Sequence, residues 1–223
     1  MLIQDLRYAI RTLLKSPSFT LVAIMTLGLG IGASTAIFSV VSAVLLKPLP
    51  YSNPEQLTWI CETNLASGVN EEAASLPDFT DWQAQSHSFE EMATFTNTAV
   101  VLTGTGEPER YPAVFVSYNF FTTLGVSPAN GRAFIPEENI PGRHRVVILS
   151  DSIWKSRFGG DPELIGKTIT LNGNPHSVIG VMPRGFKHPD PAGLRVPELW
   201  LAQGIDPAQA PRRADFLSVI GRL

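Results

Sequence analysis

The chain has 223 residues, with 17 basic and 20 acidic side chains and a formal net charge of −3. This slightly acidic composition offers no electrostatic footprint for nucleic acid, so we expect no nucleic-acid partner. Cys61 is the single cysteine, which excludes a disulfide within the chain and leaves packing as the source of stability.

Residues 1–16 are predicted to form an amphipathic helix on the cytoplasmic surface of a membrane. On a helical wheel, apolar side chains fill one arc and polar side chains fill the opposite one. Arg7, Arg11 and Lys15 lie on the polar face, where we expect them to contact the membrane surface. A disordered basic tail is the alternative interpretation of this segment.

Residues 17–47 are predicted to form a transmembrane helix that continues as a short stalk. The 31 residues from 16 to 46 include no Asp, Glu, Lys, Arg or His, whereas a helix needs about 20 apolar residues to cross the hydrocarbon core. Ser16 and Pro17 supply a suitable start for this helix. The segment is therefore expected to anchor the chain in a membrane.

Three alternative interpretations of this apolar segment are weaker. Residues 28–33 match the letters of a G-x-G-x-x-G/A dinucleotide-binding motif, but no acidic residue follows about 20 positions later. A buried core helix is usually about 8 to 20 residues long. A cleaved signal peptide has an apolar region of about 7 to 15 residues, which this segment exceeds about twofold.

Three small residues share one face of the predicted span. Gly28, Gly32 and Ala36 are spaced by four positions, so they lie above one another along the helix. Small residues at this spacing let the backbone of another helix approach closely in lipid. We therefore predict a helix-packing face here; the alternative is a span with no specific partner.

The charges that flank the span predict its orientation. Residues 1–47 carry four basic and one acidic residue, and the rest of the chain carries 13 basic and 19 acidic residues, a net charge of −6. Because cytoplasmic flanks are enriched in Lys and Arg, we predict a single-pass chain with a cytoplasmic N-terminus. Residues 48–223 are then extracytoplasmic.

The remaining residues have the composition of a globular domain. Strands are predicted at 57–61, 99–103, 111–117, 145–149 and 216–220, and helices at 76–85, 118–124 and 150–158. The clearest element is a hairpin of residues 167–171 and 176–181, joined by a type I′ turn at Asn172 and Gly173. Residues 183–211 are rich in proline and predicted to be extended and loop-rich. The expected fold class is α+β, with a mixed α/β extracytoplasmic domain after the two N-terminal helices.

Several segments together resemble the MacB/FtsX-type ABC transporter permeases. They are the basic N-terminal helix, the glycine-rich centre of the span and residues 47–51, 125–134, 147–154, 157–162, 165–173 and 178–183. This resemblance covers essentially the whole chain. It implies one span, a large MacB-like periplasmic core domain over residues 48–223, and then three further spans.

The resemblance also implies partners and a location. The family works with a separate ABC ATPase, with the other transmembrane helices of the permease and with periplasmic proteins, in the inner membrane of a bacterial cell. The three later spans and their coupling loops do not occur in these residues. We therefore expect an N-terminal fragment, a truncated gene product or one piece of a split assembly, whose core domain is incomplete.

The predicted function is that of a membrane component of an export or mechanotransmission complex. Its periplasmic domain would couple the partner ATPase to outside partners or to a substrate. The alternative is a single-span, membrane-anchored sensor or binding module with no role in transport.

The residues predict no metal site, no cofactor and no catalytic residue. The histidines are scattered along the chain: His87, His144, His176 and His188. None of them belongs to an H-E-x-x-H or Cys/His motif that would hold zinc.

Other chemistry-bearing patterns are equally weak. Ser150 and Ser152 lie at a strand-to-helix junction but lack the G-x-S-x-G motif of a hydrolase, so a membrane-tethered hydrolase is a third and weaker hypothesis. No Walker A motif is present, so ATP hydrolysis requires a partner. The acidic residues near the first predicted helix are interpreted as solvated: Asp78, Asp81, Glu90 and Glu91.

Overall fold

The structure is a computed structural model, which describes residues 4, 7–8, 11, 15–41, 51–64, 68–104, 106–190, 196–206, 209–212 and 214–223. The chain divides into two compact units, Met1–Leu49 and Pro50–Leu223. In the first unit, helix α1 spans Pro17–Val41. It begins with proline, whose missing N–H costs nothing at the first helical position.

The described residues of the second unit form three short α-helices and eleven strands. The helices are α2 (Leu76–Gln85), α3 (Phe120–Thr123) and α4 (Asp151–Phe158). The first strands are β1 (Leu57–Ile60), β2 (Glu62–Asn64), β3 (Val69–Glu72), β4 (Glu91–Thr103), β5 (Glu109–Val116) and β6 (Asn130–Gly131). The remaining strands are β7 (Val146–Leu149), β8 (Thr168–Leu171), β9 (Asn174–Val181), β10 (Leu199–Ala202) and β11 (Ser218–Arg222).

Residues at the helix ends explain where α2 and α4 begin and where α4 ends. The Oγ atoms of Ser75 and Ser150 accept hydrogen bonds from the amides of Asp78 and Ile153, at 3.2 and 3.1 Å. These bonds satisfy first-turn donors of α2 and α4 that have no partner within the helix. Helix α4 ends at Gly159, whose φ of 65° is the left-handed conformation that glycine favours.

Nine strands form one mixed sheet. The order is β1-β11-β4-β5-β10-β7-β9-β6, with β8 paired to both β4 and β9, and β2 and β3 form a separate pair. β10 is parallel to β5 and β9 is parallel to β7, whereas the other pairs are antiparallel. The predicted fold class, a mixed α/β domain after an apolar helix, is confirmed.

The double pairing of β8 closes six strands into a ring. The ring runs β4, β5, β10, β7, β9, β8 and back to β4, where Leu102 pairs with Leu171 and Thr103 with Thr170. The predicted hairpin forms this closing element, with Asn172 at φ 49° and Gly173 at φ 77° in its turn. The amide of Val101 also donates to Oδ1 of Asn172 at 2.8 Å, so the turn fastens β8 to β4.

Two apolar clusters pack on the two faces of these strands. Alternate residues of all six ring strands meet inside the ring, together with Ile153 and Leu164; the strand residues are Val100, Leu102, Ala113, Val147, Leu149, Ile169, Leu171, Val178, Leu199 and Leu201. The opposite face carries an aromatic cluster; its rings include Tyr51, Phe95, Phe120, Phe121, Phe134, Phe186 and Trp200. A third cluster lies under α2.

Three predictions about the elements of the domain need correction. β4 begins at Glu91 rather than at residue 99, because the threonines and Asn97 in its first half mask the alternation of Ala93 and Phe95. Helix α3 covers four residues rather than seven. β10 lies within the region predicted to be loop-rich. All four of its residues are buried, and a strand buried on both faces shows no alternating pattern.

Candidate functional site

Helix α1 presents apolar side chains on all sides. Residues Pro17–Ser39 have a mean hydropathy of 2.0, and none of this stretch is buried within the protein. The hydroxyl groups of Thr20 and Thr26 donate to the carbonyls of Ser16 and Val22, at 3.0 and 2.8 Å. These bonds satisfy polar groups that would find no water in a bilayer core. By length and composition, α1 is suited to span a membrane.

The predicted packing face of α1 is open in the structure. Gly28, Gly32 and Ala36 are helical and exposed. A Cβ atom built on Gly28 or Gly32 meets no atom within 4 Å. Nothing in the described part of the chain therefore covers these glycines, and their role in helix packing stays a prediction.

The predicted basic face is helical where the structure describes it. Arg7, Arg11 and Lys15 are helical and exposed, as are Gln4 and Tyr8. Spacings of three and four residues place these five side chains on one helical face. The apolar half of the predicted amphipathic helix lies outside the described residues, so contact with a membrane surface stays a prediction.

A buried arginine joins the beginning of the second unit to its last strand. Arg222 is 8% exposed; its guanidinium donates to the carbonyls of Thr123 and Ser52 at 2.7 and 2.9 Å and to Oε1 of Gln56 at 3.2 Å. The amide of Leu223 donates to the carbonyl of Gln56 at 2.9 Å. Residues 52–56 and 222–223 are therefore held side by side.

The serines at the strand-to-helix junction have structural surroundings. Ser150 caps α4, and its hydroxyl also hydrogen bonds to the carboxylate of Glu198. Ser152 is an exposed residue of α4. Both line a cleft of about 280 Å³ with Met182, Phe186 and Trp200. No histidine is among the described residues that line this cleft.

The acidic residues near α2 are engaged in ion pairs and hydrogen bonds. Arg212 contacts Asp78 and Asp81 at 3.0 and 2.8 Å. Carboxylate oxygens of Glu62, Asp78 and Asp215 lie within 4.8 Å of one another. Among the described residues, these three carboxylates are the group with the spacing of metal ligands, although Arg212 already neutralises part of their charge.

The histidines separate into different environments. His188 is buried against Phe95 and Phe120, with ring centroids at 4.7 and 5.4 Å. Burial lowers the pKa of His188 to about 4, and Asp190 opposes part of this change. His144 and His176 line one cleft together. The sequence did not indicate this meeting, because the two residues are far apart in the chain and only the ring of strands brings them together.

Comparison with known families decides the identity of the domain. A family model described as the MacB-like periplasmic core domain matches residues 20–217. The chain belongs to this family. The match begins inside α1 and ends immediately before β11, so the MacB-like assignment includes the apolar helix as well as the ring of strands. The resemblance read from the sequence is confirmed.

Solved structures with the MacB-like fold support the assignment. The extracellular domain of YknZ, a noncanonic ABC-type transporter from Gram-positive bacteria, has a TM-score of 0.53 at 15% identity, covering 74% of this chain and 81% of that chain. The periplasmic region of MacB from Actinobacillus actinomycetemcomitans has a TM-score of 0.54 at 14% identity, with coverages of 77% and 78%. A domain assigned to a permease protein of Porphyromonas gingivalis has a TM-score of 0.57 at 16% identity, with coverages of 78% and 77%. A comparison with curated proteins gave no match.

The chain thus combines two parts. It carries the MacB-like periplasmic domain found in ABC-type transporter permeases, and an apolar helix long enough to cross a membrane precedes that domain. The family is a component of transporter permeases.

Proposed function

We propose that this protein is a membrane component of an ABC-type export or mechanotransmission complex. Its periplasmic domain couples a separate ABC ATPase to periplasmic proteins or to a transported substrate. The observation that carries this proposal is the family match, which extends from the apolar helix through the ring of strands. No Walker A motif occurs in the sequence, so the energy of ATP hydrolysis comes from the partner.

The contacts of Arg222 suit a domain that transmits movement. The chain enters the domain from α1 near Ser52, and Arg222 holds this entry segment against the last strand and α3. In the permeases that the chain resembles, later spans follow the domain. A displacement of the first span relative to later spans would act on residues 52–56 and 222–223, which are adjacent in the domain. The hydrogen bonds of Arg222 would transmit this displacement to β11 and β4.

We propose an orientation in which the N-terminus is cytoplasmic and the MacB-like domain faces the periplasm. Arg7, Arg11 and Lys15 precede α1 and are exposed, which fits the preference of Lys and Arg for the cytoplasmic flank of a span. The same side chains would lie at the headgroups of the cytoplasmic leaflet of the inner membrane.

The first experiment tests the orientation. Alkaline phosphatase fused after Leu223 should be active in intact bacterial cells, and green fluorescent protein at the same position should be dark. The matched variant carries glutamate at positions 7, 11 and 15, and it should lower the phosphatase activity because the positive flank is lost. A fluorescent and phosphatase-inactive wild type would overturn the orientation.

The second experiment tests the transport complex. A photo-crosslinking amino acid is placed at Ala36 or, as the control, at Gly30 on the opposite face of α1. We expect position 36 to give adducts with other permease helices in native membranes, and an ABC ATPase to co-purify with these adducts. Recovery of the chain without any ABC ATPase would favour the sensor or binding module instead.

A further inference from the structure

One end of the six-stranded ring opens into a cleft of about 210 Å³. Val100, Phe115, Leu171, His176 and Leu201 contribute to its lining from β4, β5, β8, β9 and β10. His144 and Arg145 line it from the segment immediately before β7. All six strands of the ring, or the residues beside them, therefore surround the cleft. The mouth of a closed ring of strands is a common position for a ligand site.

The inner part of the cleft is apolar. Val100, Leu171 and Leu201 belong to the cluster inside the ring, and Phe115 packs against that cluster. The volume of the cleft lies below the range of about 300–1,000 Å³ that is usual for drug-sized ligand sites. A ligand that fills it is therefore small, and most of its body is apolar.

The rim of the cleft carries the cationic side chain of Arg145, and no carboxylate is among the described residues that line it. Its ionisable residues are His144, Arg145 and His176, beside the amides of Asn172 and Asn174. Arg145 has no ion-pair partner in the described part of the chain. Residues 48–223 carry 13 basic and 19 acidic residues, so an arginine without an ion-pair partner is unusual in this domain.

The hydrogen bonds of the two histidines leave one donor, Nε2–H of His144, available for an anion. Nδ1 of His144 accepts from the amide of Gly142 at 3.1 Å, which places the proton of a neutral His144 on Nε2. Nδ1 of His176 lies 3.0 Å from the carbonyl of Asn174 and serves as the donor there, so Nε2 of a neutral His176 is an acceptor. Burial lowers the pKa of His176, the hydrogen bond to Asn174 opposes part of this change, and the nearby Arg145 adds to it. His144, Arg145 and His176 thus lie close to one another, near enough for one bound anion to contact both Arg145 and His144.

We propose that this cleft binds a small organic monocarboxylate. Its carboxylate pairs with Arg145 and accepts a hydrogen bond from Nε2 of His144, and its apolar body lies against Val100, Leu171 and Leu201. A bidentate pair with arginine suits the planar geometry of a carboxylate. The apolar inner wall favours a carboxylate with a short hydrocarbon chain over inorganic phosphate. This inference does not depend on the proposed role in transport.

The experiment titrates the full chain in detergent micelles with sodium hexanoate. The ¹³C-methyl signals of Leu171 and Leu201 report on binding, so partition of the probe into micelles does not imitate it. We expect saturable shifts of both signals with hexanoate. Hexan-1-ol, which has the same chain without the charge, and sodium phosphate, which has charge without the chain, should each bind at least about tenfold more weakly.

Two neighbouring arginines provide a matched pair of variants. Arg145→Gln should weaken hexanoate binding at least about tenfold, because it removes the bidentate partner, whereas Arg143→Gln should bind as the wild type does, because Arg143 does not line the cleft. Dispersed methyl spectra show that each variant is folded; if Arg145→Gln is not, His144→Phe, which removes the other donor, takes its place.

Three outcomes would overturn the proposal. The first is equal binding of hexanoate and hexan-1-ol, and the second is equal binding of hexanoate by the Arg145→Gln and Arg143→Gln variants. The third is phosphate that binds as tightly as hexanoate, because the cleft would then be a simple anion site.

Discussion

The guanidinium of Arg222 donates a hydrogen bond to the carbonyl of Ser52 at 2.9 Å, which connects the last strand to the point where the chain enters the domain. Among the described residues, no carboxylate forms an ion pair with Arg222. Its charge is instead solvated by the oxygens of Ser52, Gln56 and Thr123. A buried charge must be satisfied by such oriented dipoles if no counter-ion is present. The arginine is therefore tied to this particular arrangement of three segments.

The first prediction concerns the loss of this side chain. Arg222→Gln should lower the free energy of unfolding by about 3 kcal/mol, because the carbonyls of Ser52 and of the buried Thr123 lose a charged donor. Urea unfolding of the full chain in detergent, followed by tryptophan fluorescence, measures the change.

The control for this prediction is an exposed arginine. Arg212→Gln breaks two surface ion pairs, and the side chain of Arg212 is 61% exposed. Water and salt already screen such pairs, so this variant should unfold close to the wild type. If the two variants are equally stable, the bonds of Arg222 contribute little and the segment is held by other contacts.

The second prediction is a pH dependence that originates at His188. Its pKa in the folded protein is about 4, below its ordinary value of 6.5, because burial disfavours the charged ring. Between pH 6.5 and pH 4 the unfolded chain binds more protons than the folded one. The contribution of neutral His188 to the free energy of unfolding is therefore complete above pH 6.5 and is lost as the pH falls to about 4.

The magnitude of this effect is about 2 kcal/mol between pH 7 and pH 5. Because other groups also titrate in this range, His188→Phe serves as the reference. The phenylalanine places an aromatic ring beside Phe95 and Phe120, as His188 does, but this ring binds no proton. Unfolding free energies of the wild type should fall more steeply than those of His188→Phe by this amount. Parallel curves for the two proteins would show that His188 is not desolvated as described.

The third prediction tests the closure of the ring at Asn172. Asn172 has a positive φ and its Oδ1 accepts the amide proton of Val101. Asn172→Ala should cost about 2 kcal/mol, since it loses this bond and places alanine in the left-handed region. Asn172→Gly loses the bond but accepts the backbone conformation, so it should cost about half as much.

Hydrogen exchange at the amide of Val101 separates the two contributions. In both variants this amide should exchange faster than in the wild type, because the same acceptor is missing. Unchanged exchange at Val101 would mean that the β4–β8 seam is held without the asparagine side chain.

The sequence predicted the local elements better than their arrangement. The hairpin around Asn172 and Gly173 was predictable because two adjacent residues with positive φ have a distinctive composition. The closed ring was not, since it depends on pairs such as Leu102 with Leu171, far apart in the chain. β10 was missed because burial on both faces removes the alternation by which strands are recognised.

The candidate sites also differ in whether the sequence alone could predict them. Gly28, Gly32 and Ala36 were found from their spacing within one helix, which the sequence contains directly. The cleft of His144, Arg145 and His176 could not be predicted, because its residues come together only through the ring of strands. Scattered histidines carry no signal until a fold places them beside one another.

The last prediction tests whether α1 has a packing face. Gly28→Ile or Gly32→Ile should weaken association with partner helices about fivefold or more, roughly 1 kcal/mol, because a branched side chain holds the partner backbone away. The space around both glycines is open in the structure, so these substitutions do not strain α1 itself. They also raise hydrophobicity, so membrane insertion should persist. Co-purification of the full chain with the remaining permease helices, supplied in trans, measures the association.

Gly30 offers a control with the same substitution. It lies about 160° around the helix from Gly32, at about 100° per residue, and a Cβ atom there also meets no atom within 4 Å. Gly30→Ile therefore makes the same change in volume, hydrophobicity and helix propensity on the opposite face. Loss of association in Gly28→Ile and Gly32→Ile alone would identify a packing face. Equal recovery of partner helices by the wild type and all three variants would show that α1 is a passive anchor, and equal loss in all three would point to helix propensity rather than to packing.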